Sequence, residues 1–371
     1  MRVVLAPDSF KGTISAARAA EALAEGWSSE DPDADIVPRP MADGGEGTVA
    51  AFAAAHPGAV RMPVVVDGPA GSPVDTSWLL LPPSAEQQGG TAVIDLASTS
   101  GIELLDGLRP WDADSTGFGQ AIAAALGHGV SRLVLGIGSS ASTDGGTGML
   151  RALGARFLTA SGTETVPGAR GLRDVERLDL SGLLPAPETS VLTDVTNPLT
   201  GPRGAAEVFG PQKGMHDAGD RAQADAALGR LATLLGLDPE TPGAGAAGGV
   251  GGALIVWGAR LLPGAQEVAR LVGLAEAISG ADVVVTGEGS YDGQSGDGKV
   301  PSFVAGLAED AGASPMLVAG RIAPDADPSL FRIAMSLTEL AGSAEASLAD
   351  PARWLRDAGA RLAVEARRTG R

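Results

Sequence analysis

Short apolar runs that end in polar, glycine-bearing loops and then enter helical periodicity recur along this chain. That alternation restricts it to the α/β class. The first run, RVVLA at 2–6, passes into Pro7-Asp8-Ser9-Phe10-Lys11-Gly12. Residues 13–27 then carry Ala, Leu and Trp at helical spacing, ending near Gly26. A second short strand is predicted at 36–37, a loop at 42–48 and a helix at 49–56. The last quarter repeats the scheme, with strands at 281–286, 315–319 and 332–336 and helices at 301–310 and 344–367. The middle is less regular. Strands are predicted there at 64–66, 77–81, 91–95, 132–136 and 190–194, and helices at 117–126, 145–153 and 217–235. PGAGAAGGVGG at 242–252 reads equally as a flexible linker or as a glycine-rich helix entry. The simplest arrangement is α/β with a doubly wound, Rossmann-like domain built from both chain ends, residues 1–62 plus 281–371, and a second α/β domain inserted at 63–280.

Composition removes whole classes of chemistry. The 27 basic and 45 acidic residues leave a net charge of −18, which repels nucleic acid and anionic membranes alike. The absence of cysteine excludes disulfides, thiolate nucleophiles and Cys-ligated zinc. The opening residues are strand-like at once, so no signal peptide is expected, and the apolar runs are too short to span a bilayer. A cytoplasmic protein without membrane or nucleic-acid partners is expected, as monomer or homodimer. His56, His128 and His216 lack metal-ligand spacing and read as packing or surface residues. No G-x-S-x-G elbow occurs.

Carboxylates, lysines and glycine loops remain. Ser9 and Lys11 follow the first strand, where loops of an α/β sheet meet an anionic ligand; the plainer reading is a helix-capping loop. The pattern D-G-G-x-G occurs twice, at Asp43-Gly44-Gly45-Glu46-Gly47 and Asp144-Gly145-Gly146-Thr147-Gly148, each before a helix. Paired glycines let amides approach an anion, and the aspartate suits Mg²⁺; an Asp N-cap explains a single copy as well. A third segment, TGEGSYD at 286–292, reads as a loop behind an apolar strand, with Lys299 close behind. GQSGDGKV at 293–300 fails as a Walker loop because Val300 stands where a hydroxyl is needed. GIGSSA at 136–141 fits G-x-G-x-x-A, but Arg156 and Phe157 stand where a ribose-binding acid belongs. Such groups suit phosphoryl transfer, where positioning and charge stabilisation dominate.

Taken in order, the motifs resemble the bacterial type-1 glycerate kinase family. They are APDSFKG at 6–12, ADGGEGT at 42–48, GIGSSASTDGGTGM at 136–149, DVTNPL at 194–199, FGPQKG at 209–214, PGAGAAGG at 242–249, TGEG at 286–289 and GKVP at 298–301. The resemblance implies phosphorylation of D-glycerate with ATP and Mg²⁺, usually to 2-phosphoglycerate. It also implies two α/β domains, one Rossmann-like, with an interdomain cleft.

Under that resemblance Asp194, Lys11 and Asp43 are the expected catalytic residues, with Asp194 as proton acceptor. Ser9, Lys11, Gly44, Gly45, Glu46, Asn197 and Lys213 are expected to bind substrate. Ser140, Asp144, Gly145, Gly146, Gly248, Gly249, Glu288 and Lys299 are expected at the nucleotide, and Asp43 and Asp292 at Mg²⁺. Five positions depart from the family pattern. Ser139 replaces a common glycine, Phe118 and Gln120 replace a hydroxyl and a carboxylate, Asp297 replaces a frequent histidine, and Ser290 replaces a frequent arginine. Phe118 and Gln120 motivate an alternative acceptor, another small hydroxy acid. Ser139 motivates a non-catalytic metabolite-binding protein on the same fold.

Overall fold

Val3, Val4 and Leu5 are completely buried because the strand they form has a parallel neighbour on each side. The computed structural model describes residues 1–85, 87–293 and 299–369. In chain order its strands are β1 (Arg2–Pro7), β2 (Asp35–Pro38), β3 (Val60–Asp67), β4 (Pro73–Leu81), β5 (Thr91–Asp95), β6 (Arg132–Gly136), β7 (Arg156–Leu158), β8 (Arg177–Asp179), β9 (Glu188–Leu192), β10 (Arg260–Leu262), β11 (Val283–Tyr291), β12 (Ser314–Ile322) and β13 (Ile333–Ser336).

The chain divides into two units. The first comprises Met1–Asp43, Ala50–Pro57 and Ala265–Arg371. Its sheet has the order β13-β12-β11-β1-β2, and every pair is parallel. Alternation along β12 sets the two faces: Met316 and Val318 join one apolar cluster, Leu317 and Ala319 another. The first cluster is closed by helices Ala16–Glu30 and Pro351–Thr369, the second by helix Val300–Asp310. Helices therefore cover both faces, as a doubly wound sheet requires.

Helix Ala16–Glu30 continues past Gly26, where sequence predicts its end. Ser15 caps its start, its side chain accepting from the Arg18 amide at 3.4 Å. Gly26 is a packing position rather than a stop. A Cβ there would lie 1.9 Å from the Arg356 carbonyl oxygen, and one on Gly359 would lie 2.4 Å from that of Leu23. The two glycines let the helices approach backbone to backbone.

The second unit comprises Gly44–Val49 and Gly58–Gly264. Its six-stranded sheet runs β10-β9-β6-β5-β4-β3, antiparallel from β3 to β5 and parallel from β5 to β10. Strands β7 and β8 form a separate antiparallel pair. Its core includes Ile94, Phe118, Ile122, Leu135, Leu228 and Leu254. The glycine-rich stretch before residue 250 is a helix entry: a turn at Ala246–Gly249, left-handed at Ala247 and Gly248, leads into helix Val250–Trp257. Among the described residues, no helix is long and apolar enough to cross a membrane.

Candidate active site

The first unit's parallel strands deliver their loops to one edge of the sheet. Strand order changes direction at β1, with β2 on one side and β11 to β13 on the other. Such a switch point opens a crevice beyond the strand C-termini. A cavity of roughly 410 Å³ lies there. Asp8, Ser9 and Lys11 reach it from the end of β1, and Asp43 from beyond β2. Glu288 and Ser290 reach it from β11, and Asp292 and Lys299 from the segment after β11.

A tight turn presents Lys11. The Phe10 amide donates to the Ile14 carbonyl at 3.0 Å, and Thr13 Oγ1 donates to the Phe10 carbonyl at 2.6 Å. Phe10 is buried and anchors the turn, leaving Lys11 at its exposed tip with Nζ 3.9 Å from Asp43 Oδ2. Lys299 Nζ lies 3.7 Å from Asp292 Oδ1. Ion pairs this exposed contribute about 0–1 kcal/mol to stability. Their charges stay accessible to a ligand.

Beneath them Asp8 is buried, its Oδ1 accepting from the Ser9 amide at 2.6 Å. Burial, and then repulsion from Asp43, holds its carboxyl well above the usual range, while the Ser9 amide and Lys11 pull the other way. Ser9 Oγ is buried with no hydrogen-bond partner. Leaving a buried hydroxyl unmatched costs about 1–3 kcal/mol, which a ligand oxygen reaching it would offset. Glu288 and Ser290, two apart on β11, share a face of the sheet. Ser290 is in register with Arg321 of β12, whose Nε donates to Ser290 Oγ at 2.9 Å.

The second unit holds a buried polar cluster. Asp144 is completely buried and accepts from the Ser115 amide (3.0 Å) and hydroxyl (2.7 Å) and from the Ser142 hydroxyl (2.9 Å). It also accepts from the amides of Gly146 (3.1 Å) and Gly148 (3.0 Å). The Gly145 amide donates to the Gly248 carbonyl at 3.0 Å. Lys213, also buried, donates from Nζ to Ser140 Oγ (2.6 Å) and to the Ser142 carbonyl (2.5 Å). Burial pushes its ammonium down to about 7, with Asp144 opposing. Asp114 is pushed up to about 6 by burial and by the Asp144 charge. Gly44 has φ +95°, and a Cβ on it would meet the Leu192 carbonyl oxygen at 2.2 Å. Its own carbonyl accepts from the Gly138 amide at 3.0 Å.

A sequence profile of the glycerate kinase family matches residues 3–366. The glycerate 2-kinase of Escherichia coli K12 is 38% identical, with both chains covered completely. The glycerate kinase of Bacillus subtilis 168 is 41% identical over 88% of this chain and 87% of its own. A crystal structure from Salmonella typhimurium LT2 that carries the name glycerate kinase 2 superposes with a TM-score of 0.83 at 35% identity, covering 100% of this chain and 99% of that one. The chain belongs to the glycerate kinase family. As a member it is an enzyme, a kinase that moves a phosphoryl group to an alcohol.

Against that family background, the first unit gathers Ser9, Lys11, Asp43, Glu288, Asp292 and Lys299 around one cavity. The second unit joins Lys213, Ser140 and Asp144 in a single cluster. There the amides of Gly145 and Gly146 are engaged inside the protein, so that turn is a closed hydrogen-bonded structure. Gly249 packs against it: a Cβ there would lie 2.7 Å from the Gly145 Cα. Asp194 stands exposed beyond β9, its Oδ1 accepting from the Gly264 amide at 2.8 Å. Asn197 donates from Nδ2 to the Arg203 carbonyl at 2.8 Å. Gly45 is buried and Glu46 half-buried in the second unit.

The departures resolve differently. Phe118 is buried in the second unit's core, and Gln120 exchanges two hydrogen bonds with Asp67, at 2.6 and 2.7 Å. Neither side chain lines the cavity. Ser139 has φ +59°, a left-handed conformation that suits the glycine it replaces. Asp297 lies outside the described residues, as do Ser295 and Gly298 of the near-Walker segment. Sequence reasoning overlooked Arg321. Its signal was a cation at the end of an apolar run, MLVAGR at 316–321, on the strand beside Ser290.

Proposed function

We propose that this chain transfers the γ-phosphate of ATP to D-glycerate, giving 2-phosphoglycerate, in the cytoplasm. The observation that carries the reading is the cavity at the first unit's switch point, where lysines and carboxylates from sequence-distant loops converge. The family match supplies the acceptor.

A glycerate hydroxyl oxygen attacks the γ-phosphorus in line. A new P–O bond forms, the bond to the β-phosphate oxygen breaks and ADP leaves. Asp194, exposed on a polar loop, takes the hydroxyl proton. Lys11 and Lys299 neutralise charge on the transferring group. The N-terminus of helix Val300–Asp310, next to Lys299 and on the cavity wall, adds a partial positive charge. Lys213 acts by positioning, because its ammonium holds the loop through Ser140 and Ser142.

The cavity's donor chemistry fits Mg²⁺. Among the described residues no group of three or more metal-binding side chains is preassembled. Magnesium needs only one or two protein carboxylates when phosphate oxygens supply further ligands, and Asp43 and Asp292 offer hard oxygens at the cavity. When bound there it would screen the negative charge of the triphosphate.

The test is ADP release with ATP, Mg²⁺ and D-glycerate omitted one at a time. Release is expected only in the complete mixture. Asp194→Asn should lower kcat by about 10²-fold or more with an unchanged circular dichroism spectrum. Near-normal turnover in that variant would sink the assignment of Asp194.

A further inference from the structure

The glycines of PGAGAAGG at 242–249 are contact positions in the second unit. Gly245 has φ −81°, a right-handed conformation open to any residue, so backbone freedom does not explain its missing side chain. Contact does. A Cβ on Gly245 would lie 2.1 Å from the Pro198 carbonyl oxygen, and its amide donates to the Asn197 carbonyl at 3.0 Å. A Cβ on Gly243 would lie 3.3 Å from the Val195 carbonyl oxygen. One end of the stretch is therefore seated on the 194–199 loop, which begins with Asp194. The other end is seated on the 140–145 loop. A Cβ on Gly248 would meet the Ser142 carbonyl oxygen at 2.0 Å, and the Gly248 carbonyl accepts from the Gly145 amide at 3.0 Å. That Ser142 oxygen is the one Lys213 holds. Between the ends, Ala247, Gly248 and Gly249 are left-handed in succession, with φ +54°, +70° and +99°. An alanine persists in that region only where its surroundings over-determine it. The amides of Gly245 and Ala246 are spent inside the protein, the second on the Gly243 carbonyl at 3.0 Å.

We propose that this stretch is a strut that binds no phosphate. Gly243, Gly245 and Gly248 are positioning residues, and they hold the loop of Asp194 at a fixed separation from the loop that Lys213 anchors. The proposal rests on the reading of Asp194 as the proton acceptor, and the strut acts on turnover through that carboxylate. A group that takes a proton during transfer must stay within hydrogen-bond reach of it. A displacement of about 1 Å is enough to slow such a step by about 10²-fold. Any side chain at 245 displaces the Pro198 carbonyl, and with it the loop that carries Asp194.

The experiment is a double-mutant cycle of Gly245→Ala and Asp194→Asn on the full chain. It is read by kcat, by KM for ATP and by mant-ATP affinity, with circular dichroism confirming the fold. Gly245→Ala alone should lower kcat by about 10- to 100-fold and leave KM for ATP and mant-ATP affinity within about twofold. In the Asp194→Asn background the same substitution should change kcat by less than about twofold, because the carboxylate it displaces is already gone. Gly243→Ala is a gentler push on the same loop, since its Cβ would meet the tip of the Leu261 side chain at 2.4 Å. It should lower kcat by about three- to tenfold, and it carries the cycle if Gly245→Ala does not fold. A loss of mant-ATP affinity with kcat preserved would make the stretch a phosphate loop and overturn the proposal. Losses that multiply in the double variant overturn it as well, since the strut would then act elsewhere than through Asp194. Full turnover in Gly245→Ala, with Asp194→Asn inactive, overturns the strut and leaves the proton acceptor standing. Near-normal turnover in Asp194→Asn overturns both.

Discussion

Asp114 shows how one residue's environment becomes a measurable property. It is buried near Asp144, and its carboxyl titrates at about 6 instead of 3.8. A raised native pKa means that the folded state holds the proton more tightly than the unfolded chain. Its stabilising effect is complete below pH 3.8 and is lost as pH rises through 6. At one pKa unit per 1.36 kcal/mol, the loss is at most on the order of 3 kcal/mol. Asp114→Asn keeps an acceptor for the Thr116 amide, which donates to Asp114 Oδ1 at 2.8 Å, but carries no charge. Urea denaturation should find the variant more stable than wild type by about 1–3 kcal/mol near pH 8 and equal to it near pH 4. Equal stabilities at both pH values would show that Asp114 is not strained by its burial. The sequence shows the aspartates but not their surroundings. Asp144 reads as an open phosphate-loop residue, whereas its carboxylate is saturated by hydroxyls and amides from 115 to 148. Those partners are brought in by tertiary packing, which local spacing does not encode.

Glycine is the least legible residue at the level of elements. Gly26 reads as a helix stop, and TGEGSYD at 286–292 reads as a loop. The helix runs through Gly26 to Glu30, and β11 runs through Gly287 and Gly289 to Tyr291. In both cases the missing side chain admits a neighbouring backbone: a Cβ on Gly287 would lie 2.1 Å from the Val318 carbonyl oxygen. Periodicity alone does not separate a turn glycine from a contact glycine. The difference has a testable sign at Gly26. Alanine favours a helix over glycine by about 1 kcal/mol, so Gly26→Ala would stabilise an isolated helix. Here its Cβ would meet the Arg356 carbonyl oxygen at 1.9 Å, and overpacking of this kind costs about 1–3 kcal/mol or more. The clash should win, and the chemical-denaturation midpoint should fall. A rise would mean that the two helices separate at little cost. Strands bounded by strong apolar runs were read well: 132–136 and 91–95 coincide with β6 and β5, because buried strands need continuous apolar residues. The short pair β7 and β8 was missed, being only three residues each.

Across the whole molecule, the α/β class and a parallel sheet drawn from both chain ends were legible, since strand, loop and helix alternate cleanly at each end. The mixed sheet of the second unit was legible as strands but not as an order, because hairpins and crossovers leave similar local traces. Of the expected site, the ordered motifs carried the residues of the first unit to one cavity; Arg321 entered only through the register of β11 and β12. The net charge of −18 makes local cation placement matter, since both proposed substrates are anions. In the proposed reaction a phosphoryl group passes from ATP to carbon 2 of D-glycerate. Proton-coupled phosphorus NMR of the complete reaction reads this directly. A new phosphomonoester doublet is expected, the phosphate sitting on a carbon that bears one hydrogen, formed in step with ADP. A triplet would place the phosphate on the terminal CH₂ and contradict the assigned product; no organic phosphate in a folded, nucleotide-binding protein would contradict the reaction itself.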